Sequence, residues 1–311
     1  MDATVVITTK DRAPELRGAL TSVFAQDVAL EVIVVDDGSS DDTTPMVRKE
    51  FPQVRVIRHE TSAGLVESRN EAARAASAPF IFSIDDDAVY TDPGTIRKAL
   101  AYFEDPRVAA LALPYVNVKV GPEVLTGCPD DGVEYVAFTF VGTAHAHRRS
   151  VFLELEGYRG SLRHWGEERD YCIRLYDAGY LVAMACTSPI DHFISDKRDL
   201  SLSLRLLYRN QILFPLTNAP FPAAFKHLAR AFLWNCKEVF NRPGYVGAWF
   251  RAHGELLWGL PGFLKLRAPV RSKTFSLAMR LHRAGPTPKD TIARELPEPK
   301  DLKAGISATS H

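Results

Sequence analysis

Phe80-Ile81-Phe82-Ser83-Ile84-Asp85-Asp86-Asp87 decides how this chain is read. An apolar run of strand length delivers three consecutive carboxylates to one point. Acids crowded this closely repel one another, and a bare cluster costs stability. A hard divalent cation removes that cost, because Mg²⁺ and Mn²⁺ prefer carboxylate oxygens and bridge to phosphates. A solvated acidic turn ahead of the helix that begins near Pro93 would also explain the triplet, and on the triplet alone that plainer reading wins. The surrounding chain reverses the balance.

Outward from the triplet, the first 113 residues alternate strand and helix. Residues 4–8 (TVVIT) read as a β-branched strand and 14–25 as a helix, with Leu16, Leu20, Val23 and Phe24 at helical spacing. Strands at 32–35, 54–57, 80–84 and 108–113 alternate with helices at 43–50, 65–76 and 96–103. Fully apolar strands between helices predict a parallel sheet covered on both faces. Ligands of such sheets lie beyond the carboxyl ends of the strands. Asp36-Asp37 and the 85–87 triplet both fall at ends of that kind.

From 115 to 142 the pattern alternates more, at Val116, Val118 and Val120 and again over 135–141, which predicts antiparallel additions. A helix over 167–178 closes on Gly179, a left-handed cap, before a strand at 180–185. Beyond Leu200 the chain reads as helical, over 200–214, 222–240, 245–258 and 273–284, punctuated by Pro215, Pro220, Pro222, Pro243 and Pro261. Residues 285–311 are rich in Pro, Lys and Glu and predict a flexible tail.

A chain of 311 residues holds one large domain or two small ones, and 46% apolar with 24% charged residues is ordinary for a folded soluble protein. The net charge of zero hides an asymmetry: residues 1–199 carry 21 Lys+Arg against 32 Asp+Glu, and residues 200–311 carry 17 against 6. The split suggests an anionic partner for the C-terminal part, or an internal complement to the acidic part. Cys128, Cys172, Cys186 and Cys236 show no paired spacing and read as reduced thiols. No signal peptide precedes the first strand and no apolar run of about 20 residues lacks charge, so the expectation is a cytoplasmic protein without a spanning helix.

Four further clusters carry candidate chemistry. After the second strand, Asp37 is placed to accept hydrogen bonds from a base or ribose, with Gly38 freeing the turn; taken alone, an N-cap and turn is the better explanation. On the third helix, Arg69 would reach a base or phosphate, or pair with surface acids. In His164-Trp165-Gly166-Glu167-Glu168-Arg169-Asp170, the acids suit a helix first turn, and Glu168 or Glu167 also suits a general base, with Trp165 offering a face to a sugar ring. His192 lies past a strand end as a metal ligand or a structural histidine, and Tyr208-Arg209-Asn210 as a phosphate contact or a helix face.

In order along the chain, these pieces resemble the inverting, nucleotide-sugar-dependent glycosyltransferases of family 2. The likeness runs from Val5-Val6-Ile7-Thr8-Thr9 through Val34-Val35-Asp36-Asp37-Gly38-Ser39, Ser68-Arg69-Asn70 and the Asp-x-Asp at Asp85 and Asp87. It continues through Phe140-Val141-Gly142-Thr143, Gly166-Glu167-Glu168-Arg169-Asp170 and His192 to Arg209-Asn210, about two thirds of the chain. It implies an α/β GT-A fold, a Rossmann-like, doubly wound mixed sheet. Residues 1–199 would be catalytic, with a nucleotide half at 1–114 and an acceptor half at 115–199; a helical extension would span 200–284.

The resemblance also implies roles. Thr9, Asp37, Arg69, Asp85 and Asp86 would surround the nucleotide of a UDP-, dTDP- or GDP-linked donor. Asp87 and His192 would hold Mn²⁺ or Mg²⁺. Gly142, Thr143 and Trp165 would meet a saccharide or polyprenyl-linked acceptor, and no nucleic acid partner is implied. Glu168 would be the base by register, with Glu167 a rival because the commoner family pattern is Glu-Asp here. Lys10-Asp11 replaces a more usual Tyr-Asn, so neither residue is given a contact. A sugar nucleotidyltransferase or a dinucleotide dehydrogenase would need a Gly-rich loop after an early strand, which Thr8-Thr9-Lys10-Asp11 is not. The rival from another class is a non-catalytic binding or scaffold protein of the same fold.

The C-terminal helices combine Trp234, Trp249, Phe250, Leu257 and Trp258 with Lys237, Arg242, Arg251 and Lys265. Such faces suit an anionic membrane surface, here the inner face of the cell membrane, or pack on the catalytic part or on a second subunit as a homodimer.

Overall fold

The computed structural model describes residues 1–130, 132–195 and 199–299. The β-branched runs form β1 (Ala3–Thr9), β2 (Leu30–Asp36), β3 (Arg55–Arg58) and β4 (Phe80–Ile84), with α1 (Ala13–Phe24), α2 (Thr43–Glu50) and α3 (Leu65–Ala75) between them. β1 lies parallel to β2 from Ala3↔Leu30 to Thr9↔Asp36 and parallel to β4 on its other side. Successive residues of these strands point to opposite faces. Val5, Ile7, Phe82 and Ile84 therefore pack on Leu16, Leu20 and Val23 of α1. Val6, Ile33 and Ile81 join Val66 and Ala72 of α3 on the other face. The sheet is doubly wound, and the ends of β1, β2 and β4 share one edge.

β5 (Ala88–Tyr90), α4 (Thr95–Leu100), β6 (Val108–Ala112), β7 (Tyr115–Asn117), β8 (Val124–Leu125), β9 (Tyr135–Val136) and β10 (Ala144–Arg148) follow. β10 runs antiparallel between β4 and β6, so the nine-stranded sheet, which also takes in β11 (Leu181–Met184) and β13 (Thr287–Pro288), is mixed, in the order β13-β9-β11-β6-β10-β4-β1-β2-β3. α5 (Arg149–Glu154), α6 (Glu167–Ala178), β11 (Leu181–Met184) and β12 (Ile190–His192) complete this part. A second sheet, β5-β12-β7-β8, begins immediately after the 85–87 triplet. Gly179 caps α6 at φ +96, and a Cβ there would collide with the carbonyl of Pro297.

The remainder is α7 (Leu200–Asn218), α8 (Ala223–Asn241), α9 (Val246–Lys265), α10 (Ser272–Ala284), β13 (Thr287–Pro288) and α11 (Lys289–Ala293). Three expectations are corrected. Pro215 and Pro261 lie inside α7 and α9 rather than ending them, because both helices continue along packed neighbours. Cys128 and Cys186 form a disulfide, so only Cys172 and Cys236 are thiols. Residues 285–299 are structured: β13 pairs with β9, Lys289 bridges Asp105 and Glu134, and Arg107 binds the carbonyls of Ala293 and Pro297. The rest of the expected tail, 300–311, lies outside the described residues.

Candidate active site

The 85–87 triplet occupies the turn from β4, in the large sheet, to β5, in the small one. β12 pairs with β5 so that His192 stands opposite Ala88, and with β7 so that it stands opposite Asn117. This register brings His192 Nε2 to 3.3 Å from Asp87 Oδ1, while Nδ1 meets Asn117 Oδ1 at 2.8 Å. Nδ1 therefore carries the proton, and Nε2 faces the acids. Ligand atoms of Asp85, Asp87 and His192 lie within 4.8 Å of one another. The Ser195 N–H donates to Asp87 Oδ2 at 2.7 Å.

Two arginines meet the triplet. Arg12, in the turn after β1, donates to Asp86 Oδ1 at 2.7 Å and stands 3.6 Å from Asp87 Oδ2. Burial nevertheless pushes Asp86 up to about 6, against the pull of Arg12. Arg69, on α3 and buried, donates from Nη2 to Asp85 Oδ1 at 2.8 Å and to the Gly142 carbonyl at 2.9 Å. Burial works against its charge, and Asp85, Glu167 and Glu168 more than restore it.

The end of β2 makes a second pocket on the same edge. Asp37 accepts from the Ser62 hydroxyl and from the N–H groups of Ala63 at 2.7 Å and Gly64 at 3.0 Å. His59 bridges Asp37 at 2.8 Å and Glu71 at 2.6 Å. Burial opposes ionisation of Asp37, but the bonds from Ser62 and His59 outweigh it and hold the carboxyl below its usual range. Asp11 ties the pockets together: it accepts from the N–H groups of Ser40 and Asp41, while the next residue, Arg12, reaches Asp86.

Glu167 and Glu168 open α6 behind Gly166, whose φ of +92 favours glycine. Their environments differ. The Glu167 side chain is fully buried, with Arg69 Nη1 at 3.6 Å and His164 Nδ1 at 3.8 Å, beyond hydrogen-bond distance. Burial, with Glu168 beside it, raises its pKa. Glu168 is only partly buried, and a Cβ on Gly142 would lie 2.9 Å from both its Oε1 and Arg69 Nη1. Burial raises Glu168 too, against Arg69. A carboxylate with a raised pKa is, once ionised, a stronger proton acceptor than an ordinary one.

Residues 4–152 match the family model described as Glycosyl transferase family 2. This part of the chain belongs to that family. The chain is 31% identical over 103 residues to the succinoglycan biosynthesis protein ExoU of Rhizobium meliloti, covering 32% of this chain and 30% of ExoU. The chain thus spans about a third of that relative's length. Among solved structures, S. aureus TarS residues 1–349 in complex with UDP-GlcNAc superposes with a TM-score of 0.64 at 18% identity, covering 91% of this chain and 88% of that one. The mannosyltransferase PcManGT of Pyrobaculum calidifontis, in complex with GDP-Man and Mn²⁺, gives 0.57 at 20% identity, covering 84% and 75%. These likenesses show the fold, which is GT-A.

Thr9, Asp37, Arg69, Asp85, Asp86, Asp87, Gly142, Thr143, Glu167, Glu168 and His192 lie at the shared sheet edge or on the elements that meet it. Trp165 stands apart: it is 41% exposed and its ring packs on His164 at 5.3 Å. Arg209 binds the carbonyls of Ser161 and Leu162, and Asn210 those of Leu162, His164 and Trp165; both are buried and hold the loop before α6. Three residues escaped the sequence reading: Arg12, His59 and Asn117. Arg12 carried a signal, as the cation directly after the first strand's turn; the other two become neighbours only through strand register. A cavity of about 890 Å³ beside α5 and α6 shares no residue with the site.

Proposed function

We propose that this chain transfers a glycosyl residue from a nucleotide sugar to a hydroxyl acceptor, with inversion, by single displacement. One observation carries the reading: Arg69 links Asp85 of the Asp85–Asp87–His192 cluster to the loop at Gly142, over which Glu168 lies. In the reaction the acceptor oxygen bonds to the anomeric carbon as the bond to the diphosphate oxygen breaks, the electron pair leaving with the diphosphate. Glu168 takes the acceptor proton, its raised pKa matching the task. Glu167, buried beneath, shapes the site electrostatically. Asp37 faces the base of a UDP-, GDP- or dTDP-linked donor, and Asp85 and Arg69 flank the ribose and phosphates.

Two carboxylates and an imidazole fixed by Asn117 form a donor set that fits Mn²⁺ or Mg²⁺, held by Asp85, Asp87 and His192. Such an ion, when bound, offsets negative charge developing on the leaving diphosphate. Arg12 and Arg69 keep the acids placed. The acceptor is a saccharide or a polyprenyl-linked saccharide, entering past Gly142 and Thr143.

Titration calorimetry with UDP, GDP and dTDP, each with and without Mn²⁺, tests this reading, followed by a donor-hydrolysis screen of nucleotide sugars. One nucleotide is expected to bind in a Mn²⁺-dependent way and its sugar conjugate to turn over. Binding by none would leave a scaffold of the same fold.

A further inference from the structure

α8 and α9 pack side by side on α7 and leave their outer surfaces uncovered. At 3.6 residues per turn, Phe225, Phe232, Leu233 and Phe240 of α8 fall in one arc, with Lys226, Arg230 and Lys237 in the arc beside it. α9 repeats the arrangement: Val246, Phe250, Leu257, Trp258 and Leu264 share an arc, with Arg251 and Lys265 at its border. All nine apolar residues are exposed, Phe240 by 88% and Trp258 by 91%. Residues 242–245 turn α9 back on α8, and the Phe232 ring meets His253 at 5.6 Å and Trp249 at 6.1 Å. In such a hairpin both stripes rise from the seam on the same side.

Charge selects the occupant. Glu255 is spent on Arg205 and Arg209 of α7, and Glu238 lies near Arg242, so the border of the stripes is cationic. Among the described residues no helix is long and apolar enough to cross a membrane. An apolar face with basic flanks suits a helix lying in the plane of an anionic interface. A second copy on the same face would set these cations against themselves. We propose that the α8–α9 face binds the surface of an anionic lipid bilayer. This proposal stands apart from the donor chemistry.

The test is flotation of the full chain with vesicles of phosphatidylcholine alone or mixed with phosphatidylglycerol, at fixed salt. Binding to the mixed vesicles at least tenfold tighter than to the neutral ones is expected. Phe250→Ser with Trp258→Ser should weaken it more than tenfold at unchanged melting temperature. Lys226→Glu with Lys237→Glu should weaken it by a similar factor, at roughly fivefold per basic residue near the surface. Three results would overturn the proposal: no flotation, flotation indifferent to these substitutions, or a wild-type dimer in light scattering that Phe250→Ser with Trp258→Ser turns into a monomer while no vesicle binds. The last assigns the face to a second copy.

Discussion

At the ends of β1, β2 and β4 the protein buries charge; on the outer face of α8 and α9 it exposes rings. Asp36, Asp86, Asp87, Arg69 and Glu167 are almost inaccessible, whereas Phe240 and Trp258 stand nearly free of the fold. Both regions depart from the ordinary partition, in opposite directions. Buried charge is costly unless it is paired, and a large exposed apolar patch invites association. Among the described residues, Arg12, Arg58 and Arg69 pair with the acids at the sheet edge. The helical face has no such internal partner among the described residues. The sheet edge pairs its buried charge within the fold, whereas the helical face leaves its apolar area open to solvent.

The largest expected effect sharpens the charged side of this contrast. Glu168→Gln keeps the shape but removes the proton acceptor, so turnover should fall by about 10²–10⁴ while donor affinity stays within roughly twofold. Calorimetry and single-turnover kinetics separate the two quantities, and near-normal turnover would move the base to Glu167. Asp87→Ala comes next: a loss of about 100-fold in Mn²⁺-dependent nucleotide affinity, with the melting curve intact. Unchanged affinity in Mn²⁺ would take Asp87 out of the site.

Glu167→Gln asks whether burial of charge here costs the fold anything. The folded-state pKa of Glu167 lies above that of the unfolded chain. The unfolded chain therefore releases its proton first, and stability falls as pH rises through the interval, by at most about 1.4 kcal/mol per pH unit. Glutamine removes this dependence. The variant should melt above the wild type at pH 8 and converge with it toward pH 4. A variant that melts lower at pH 8 would mean that the buried carboxylate is held by the fold as an anion.

Legibility in the sequence divides along the same line. β1, β2 and β4 announce themselves through β-branched runs, and α6 through acids at its start and Gly179 at its end. The candidate acids were legible because strand ends of a doubly wound sheet converge. β10 was not: AHAHR has no apolar run, yet Ala144 and Ala146 pack into one face of the core while His145 and His147 are buried around the Tyr158 hydroxyl on the other. The Cys128–Cys186 bond spans 58 residues with no spacing signal. Arg209 and Asn210 read equally as a phosphate contact or a helix face, and periodicity gives no sign of the loop carbonyls they bind. The prolines of α7 and α9 misled for a related reason, since packing outweighed local preference.

His59→Gln probes the finer electrostatics of the Asp37 pocket. Its bond to Asp37, against partial burial, raises the His59 pKa. A base raised in the folded state stabilises below its unfolded pKa, about 6.5, and that contribution is lost as pH rises through the folded value. Glutamine keeps one donor but no titrating charge. Donor affinity should fall about threefold at pH 6, a difference that fades by pH 9. An equal loss at both pH values would make His59 a spacer rather than a charge.

The smallest effect tests the helical side. If the α8 stripe serves something outside the fold, the fold should not need it. Phe225 is 67% exposed, and Phe225→Ser gives up little area that folding removes from water. Its stability in solution should stay within about 0.5 kcal/mol of the wild type by urea denaturation. Phe275, on α10, packs with Ile173 and Phe214 at 2% exposure. Phe275→Ser should cost about 3–5 kcal/mol, the range for truncating a buried aromatic. Comparable losses at both positions would show that α8 is held by contacts its exposure conceals, and the contrast between the two regions would reduce to the charged one alone.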